Sequence, residues 1–387
     1  MTFLEGPKLL RPTRFYHPTE NVRKPLTPTL GLPISGKLTP WAEGTGGFFI
    51  AEGGDSKRLF LVTALHVVFK PSRNDNETFE HKSHSAPRRE VILLSDAAFE
   101  KFLKSVREEI GGNAIRVEYL ESCIAEVAGV AGNEAARERE NHGYELAKAK
   151  RAMEDLNTFY EDVSTRWASP EKRVLGHIIY SPPIQLGFGT EQCTQDFAII
   201  DIDRSKIDAT NFKGNVIDLG TKIPIYELIR KISPNLQSDA FDYPLDRLLR
   251  LKGTIPDQDM RHPPALDEHG KPCLMVVKHG NSDTGLTVGR ANDVRSCVRN
   301  YYEDGTTNFS MEWAILPFDH KPGGDFSAPG DSGAVVADGS GRICGIIIGG
   351  ASSKSDVDIT YVANIDSLMQ GIRDKFPNAH LNPNLRA

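Results

Sequence analysis

The chain has 387 residues, a formal net charge of -6, 25% charged residues and 39% hydrophobic residues. This length allows two ordinary domains or one large fold with insertions. The acidic balance leaves no basic footprint for nucleic acid and no general attraction to anionic membranes, and no apolar run approaches the roughly 18–20 residues that span a bilayer.

The opening stretch "MTFLEGPKLLRPTRFYHPTENVRKPLTPTLGLP" has no hydrophobic core segment and no small-residue cleavage site. A secretory signal is therefore not expected, and the expected location is intracellular, cytoplasmic or nuclear. Residues 1–38 are rich in Pro and basic residues and read as an extended arm. Strand signals begin at "GTGGFFIAEGG" and continue through "RLFLVTALHVVF" and "REVILLS", short β-branched and aromatic runs divided by Gly, Asp and Ser clusters.

From about residue 96 to 172 the composition shifts to Ala, Glu, Lys, Arg and Leu. Leu146, Ala149, Met153, Leu156 and Phe159 recur at helical spacing, so a helical insert is expected there. Strand character returns in "RVLGHIIYSPPIQLGF" and "QDFAIIDIDRS". Residues 206–270 read as a mixed bridge with short helices predicted at "PIYELIRKIS" and "PLDRLLRLKG"; from 271 onward the chain is again β. The five cysteines are scattered, odd in number and free of CxxC spacing, so neither structural zinc nor a disulfide framework is expected. His81 and His84 in "HKSHS" lack a Cys or carboxylate pattern beside them, and no metal or other cofactor is expected.

The stretch "FSAPGDSGAVV" holds Ser332 between an acid and two glycines just before an apolar run. A serine hydroxyl is a poor nucleophile at neutral pH and needs a base, most often histidine, to take its proton. Of the eleven histidines, His66 follows the strongly apolar "LFLVTAL", where a rigid element would hold it. A third group, a carboxylate, must orient the imidazole and stabilise its charged form. Asp196 stands at the entrance to the apolar run Phe197–Ile200; Asp201 and Asp203 compete for the role but alternate onto the opposite face of a regular strand.

Thr63-Ala64-Leu65-His66, Asp196-Phe197-Ala198-Ile199 and Gly330-Asp331-Ser332-Gly333, in that order, resemble the three signature blocks of trypsin-like, chymotrypsin-fold (PA clan) serine proteases. The glycine-rich "GTGGFFIAEG" looks like the opening hairpin of the first barrel, and "VKHGNSDTGLTVGRAN" is similar to a segment of the second barrel in non-digestive members. Leu65 and Ala334 depart from the usual residues by small changes. The long separations between blocks are permissible, because loop-closure entropy rises only slowly with length.

The resemblance implies an all-β core of two antiparallel six-stranded barrels with an α-helical insertion in the first. Residues 39–205 would form the first barrel, carrying His66 and Asp196 with the insert at about 96–172, and 271–387 the second, carrying Ser332. It implies an intracellular serine endopeptidase acting through a Ser332–His66–Asp196 triad, with the Gly330 and Ser332 amides as oxyanion hole. The partners would be a protein or peptide substrate and, at the helical insert, a regulatory protein. Two alternatives share the fold: a catalytically silent or autoinhibited binding module, and a partner-activated or self-processing protease. In relatives the pocket floor lies a few residues before the nucleophile and its wall on the strand after it. Carried over, this puts Phe326 at the floor and Ile348, Gly349 and Gly350 along the wall, for an apolar preference; a shift of one residue puts Asp325 or Ser327 there instead. No activation cleavage segment is evident, so Asp331 is expected to have a partner other than a freed N-terminus, or only to shape the turn.

Overall fold

The computed structural model describes residues 6–69, 76–83, 85–235, 241–301, 307–319, 324–351 and 358–385. The first apolar runs form β1 (Leu32–Gly36), β2 (Thr39–Gly46), β3 (Phe48–Ala51) and β4 (Leu59–Thr63), followed by a one-turn helix α1 (Leu65–Val68). After β5 (Glu90–Leu93) come two long helices, α2 (Asp96–Val127) and α3 (Asn133–Arg166), then β6 (Val174–Ser181) and β7 (Ala198–Ile202). The second β-rich part has β8 (Leu274–His279), β9 (Leu286–Ala291), β10 (Thr307–Pro317), β11 (Val335–Asp338), β12 (Ile343–Ala351) and β13 (Ile359–Asn364), and ends in α4 (Ile365–Lys375).

The second set of strands closes into an antiparallel barrel, and the first curls into a barrel-like antiparallel sheet. In the first, β2 and β3 are one path bent at Gly47, which moves from pairing with β1 to pairing with β4. The sheet continues β4–β7–β6–β5 and returns to β1, making six strands. The bend needs glycine, because a Cβ at 47 would lie 2.5 Å from the Gly333 carbonyl oxygen and 2.9 Å from that of Val62. In the second barrel the ring is β8–β9–β10–β13–β12–β11 and back to β8. Side chains alternate along each strand, so one face of every strand fills a barrel with Ile, Val, Leu and Phe. The two-barrel architecture with a helical insertion in the first barrel is the one expected.

The insertion is an antiparallel helical hairpin whose barrel-proximal ends are held by apolar packing. Phe99, Phe102 and Val106 of α2 and Leu156, Phe159 and Val163 of α3 are buried, whereas Ile115, Tyr119 and Tyr144 farther out are exposed. Ser95 caps α2 by accepting the Ala98 amide. Arg173, fully buried, closes the base by donating to the carbonyls of Leu94, Trp167 and Ala168 and pairing with Asp96. Helix α2 runs well past Gly111–Gly112, a pair that costs about 1 kcal/mol per glycine in a helix interior. Pairing with α3, through Arg116–Glu145 and Lys150–Glu121 among others, carries it through.

The bridge departs from its reading at one place. Ile225–Ile232 is a helix as predicted, but "PLDRLLRLKG" contributes a strand, Leu248–Arg250, paired with Val216–Asp218. Arg247 just before it has φ +52°, a conformation no helix continues through.

The N-terminal arm is draped over the body: Leu9, Val22, Leu26 and Leu30 are buried, and Leu30 donates its amide to the Val216 carbonyl. Arg247 fastens it, donating to both Asp218 oxygens (2.7 and 3.1 Å) and to Thr13 Oγ1, and pairing with Glu20 at 2.8 Å. All three charged side chains are at most 7% exposed. Arg247→Met would leave buried Glu20 without its ion-pair partner and Asp218 with Lys24 in place of its bidentate partner. The expected cost is about 3–5 kcal/mol, read as a lower urea midpoint together with faster proteolysis of the arm.

Candidate active site

His66 sits on α1, immediately after β4 has carried the chain across the first barrel. Its Nδ1 lies 2.5 Å from Asp196 Oδ2. A carboxylate only accepts, so Nδ1–H donates, and a neutral ring then bears its lone pair on Nε2. Asp196 precedes β7, is 5% exposed, and accepts the Leu65 amide (2.8 Å) and the His66 amide (3.3 Å) at Oδ1. One carboxylate thus holds both the main chain and the ring of the histidine. The competing acids are engaged elsewhere: Asp201 pairs with Arg58 at the surface, and Asp203 caps the turn at Ser205.

Ser332 lies in the loop before β11, pressed against the first barrel. Its carbonyl accepts the Thr45 amide at 2.8 Å, and Thr45 Oγ1 donates to the Gly330 carbonyl at 2.8 Å while accepting the Asn281 amide. Gly333 has φ +87°, and a Cβ there would stand 2.3 Å from Thr63 Oγ1 and 3.3 Å from the Ala64 nitrogen. Only a glycine at 333 lets the serine loop come this close to the strand end that leads into His66. Sequence reasoning missed Thr45 as the residue joining the two loops. Its signal was the "GTGG" run, where glycines on either side admit close backbone contact.

The loop alternates used and unused amides. Asp331 N–H donates to the Ala328 carbonyl and Gly333 N–H to that of Ile347, whereas among the described residues the Gly330 and Ser332 amides have no acceptor. Gly330, at φ +104°, supplies the turn that leaves these two in this state. Two neighbouring unpaired N–H groups can hold an oxyanion.

Asp331 has a partner that the sequence did not name. Lys278, in the middle of β8, places Nζ 2.5 Å from Asp331 Oδ2, with neither side chain exposed at all. Asp331 also accepts from the Ser282 amide and hydroxyl, Thr284 Oγ1 and the Ala328 amide. Lys278 Nζ donates in addition to Thr284 Oγ1 and to the Gly285 carbonyl. Burial lowers the Lys278 pKa, with the Asp331 charge opposing that shift. Gly280 makes room, since a Cβ there would lie 2.0 Å from Asp331 Oδ1.

The pocket floor expected at Phe326 needs correction. The Phe326 ring is fully buried in the core of the second barrel, against Ile315 and the Cα of Gly289, and cannot face an open pocket. Its carbonyl accepts Thr287 Oγ1 and its amide donates to Asp358, which fixes the ring inward. The polar groups beside this stretch are Asp358 and the Ser327–Thr360 hydroxyl pair. On β12, Ile348 and Gly349 are half-buried and Gly350 is exposed, an open strand face. Among the described residues no group of three His, Cys, Asp or Glu side chains could hold a metal; His84 lies outside those residues. No helix among them is long and apolar enough to cross a membrane.

No family model matches the chain, and no curated protein matches it. Among solved structures, it is similar to the Nocardiopsis protease NAPase at 12% identity, over 92% of this chain and 98% of that one, with a TM-score of 0.37. It is also similar to a glutamic acid specific serine protease, at 13% identity over 88% and 95% of the chains and a TM-score of 0.35. Thermobifida fusca Protease A follows at 11% identity, 89% and 95% coverage and a TM-score of 0.34. These neighbours are chymotrypsin-fold serine proteases.

Proposed function

We propose that the protein is a serine endopeptidase. Ser332 attacks the scissile carbonyl while His66 takes its proton and later returns one to the leaving amine. Asp196 holds the ring in the Nδ1–H tautomer, and the Gly330 and Ser332 amides receive the oxyanion. The observation that carries this reading is Asp196 itself. A buried carboxylate that binds both the ring and the backbone of one histidine, beside a serine loop with two unpaired amides, is the arrangement acyl transfer requires.

The geometry calls for no metal, and the open face of β12 beside the loop suits an extended peptide chain. Only a neutral imidazole can accept the serine proton, so the rate should climb with pH through the mildly acidic range. An active-site fluorophosphonate tests the reading directly. Wild type should be labelled, while Ser332→Ala should lose both the label and peptide hydrolysis, the latter by a factor on the order of a million. A wild-type chain that is folded yet never labelled would instead be a binding module on a protease fold.

A further inference from the structure

Strand alternation turns Trp313 and Ile315 of β10 into the core of the second barrel, so Glu312, just before Trp313, points the other way. An acid on the outer face of a barrel strand belongs in water, yet Glu312 is 1% exposed. It is covered by residues 191–195, the segment that runs directly into Asp196.

That segment is tied to the second β-rich part at successive residues. Arg295 donates to the Glu191 carbonyl at 3.1 Å and pairs with its carboxylate. The Met311 amide donates to the Gln192 carbonyl at 2.8 Å, and the Ser367 hydroxyl of α4 donates to Cys193 Sγ at 3.7 Å. Glu312 Oε1 then accepts the Thr194 amide at 2.8 Å. Past Asp196 the chain belongs to the first barrel, where Ala198 pairs with Thr63 of β4. Asp196 therefore stands at the crossing from one barrel to the other. Of these hydrogen bonds, the one between Glu312 and Thr194 lies nearest to it along the chain.

A buried carboxyl is costly to keep. Burial raises the Glu312 pKa, opposed by Thr194, Ser310 and the Arg295 charge. If packing were its only task, an apolar residue of similar volume would serve at less cost. What such a residue lacks is an oxygen for the Thr194 amide.

We propose that Glu312 is a positioning residue for the Ser332–His66–Asp196 triad: by accepting the Thr194 amide it fixes, from the second barrel, the segment that presents Asp196 to His66. It touches no substrate and acts through Asp196 alone. Thr45 braces the Ser332 loop on the first barrel in the opposite sense, so the two clamps cross and set the reacting groups against each other. The role rests on the protease reading, and one of the two readouts below needs no turnover.

Glu312→Leu and Glu312→Gln would be compared with wild type by steady-state kinetics, thermal melts and proton NMR. The His66 Nδ1 proton, held against a buried carboxylate, should resonate far downfield, and His66→Ala assigns it. Glu312→Leu should lower kcat by about a hundredfold with KM nearly unchanged, the scale of a small misplacement of a reacting group. Its downfield resonance should shift or broaden. Glu312→Gln keeps a carbonyl oxygen for Thr194 and should restore both. Wild-type kcat and resonance in folded Glu312→Leu, with only the melt lowered, would overturn the proposal and leave a mere brace. Loss in Glu312→Gln as well as in Glu312→Leu would also overturn it, because the glutamine retains the acceptor. Should Glu312→Leu not fold, Glu312→Asp, whose oxygens fall one methylene short, gives the same readings. If wild type hydrolyses no peptide, the protease reading falls and the resonance decides alone: moved by leucine and restored by glutamine upholds the positioning, unmoved or absent from wild type overturns it.

Discussion

Asp196→Asn is expected to lower kcat/KM for peptide hydrolysis by roughly four orders of magnitude while the protein stays folded. The size follows from the two oxygens of Asp196 having different tasks. Oδ1 accepts the Leu65 and His66 amides, so an asparagine keeps its carbonyl oxygen there and turns its NH2 toward the ring. Nδ1 must then accept, which moves the imidazole proton to Nε2. A ring that presents N–H to Ser332 cannot take the serine proton, although every heavy atom is in place. Asp201→Asn is the control, because Asp201 is committed to Arg58 at the surface, and its rate should stay at wild type. Steady-state kinetics with a thermal melt of each variant settles the point. Near-normal rates for Asp196→Asn would remove the carboxylate from the mechanism and with it the observation on which the protease reading stands.

The parts of this site that could be read from sequence are those in which a reactive residue borders a continuous apolar run. His66 after Leu59–Thr63, Asp196 before Ala198–Ile202 and Ser332 before Val335–Asp338 each take their position from a buried strand, and burial is what a hydrophobic run announces. Phe326 fails for the complementary reason. Whether its ring turns into the barrel or out toward a pocket depends on Thr287 and Asp358, which are remote in the chain and carry no local pattern. Leu248–Arg250 became a strand because Val216–Asp218 lies alongside it, a partner that periodicity over ten residues does not contain. Lys278 was the most accessible of the missed signals. It shares a strand face with Leu274 and Val276, both buried, so a lysine in "LMVVKHG" already asked for a buried anion.

That lysine supports the second large effect. Lys278→Met should cut kcat/KM by at least about a hundredfold, the scale of losing one oxyanion donor, and destabilise the fold by about 3–5 kcal/mol, the cost of a buried charge left alone. Asp331 would lose its only cation among the described residues while still tied to Ser282, Thr284 and Ala328, so the Gly330–Gly333 turn that depends on it must shift. A loss of activity through poor folding alone is separated from this by the wild-type pH profile. Burial sets the Lys278 pKa below that of an ordinary lysine, so as pH rises the pair loses its positive member early, and kcat/KM should decline before an exposed lysine would titrate. Linkage gives stability the opposite sign. Between the folded and unfolded pKa values the unfolded chain holds more protons, so this group's contribution to stability rises with pH across that window. Activity should therefore fall at alkaline pH while the contribution of Lys278 to stability improves, and the residual activity of Lys278→Met should lack that alkaline decline. Parallel loss of rate and melting temperature in the wild type, with the same decline persisting in the variant, would show that the pair braces the barrel without positioning the oxyanion loop.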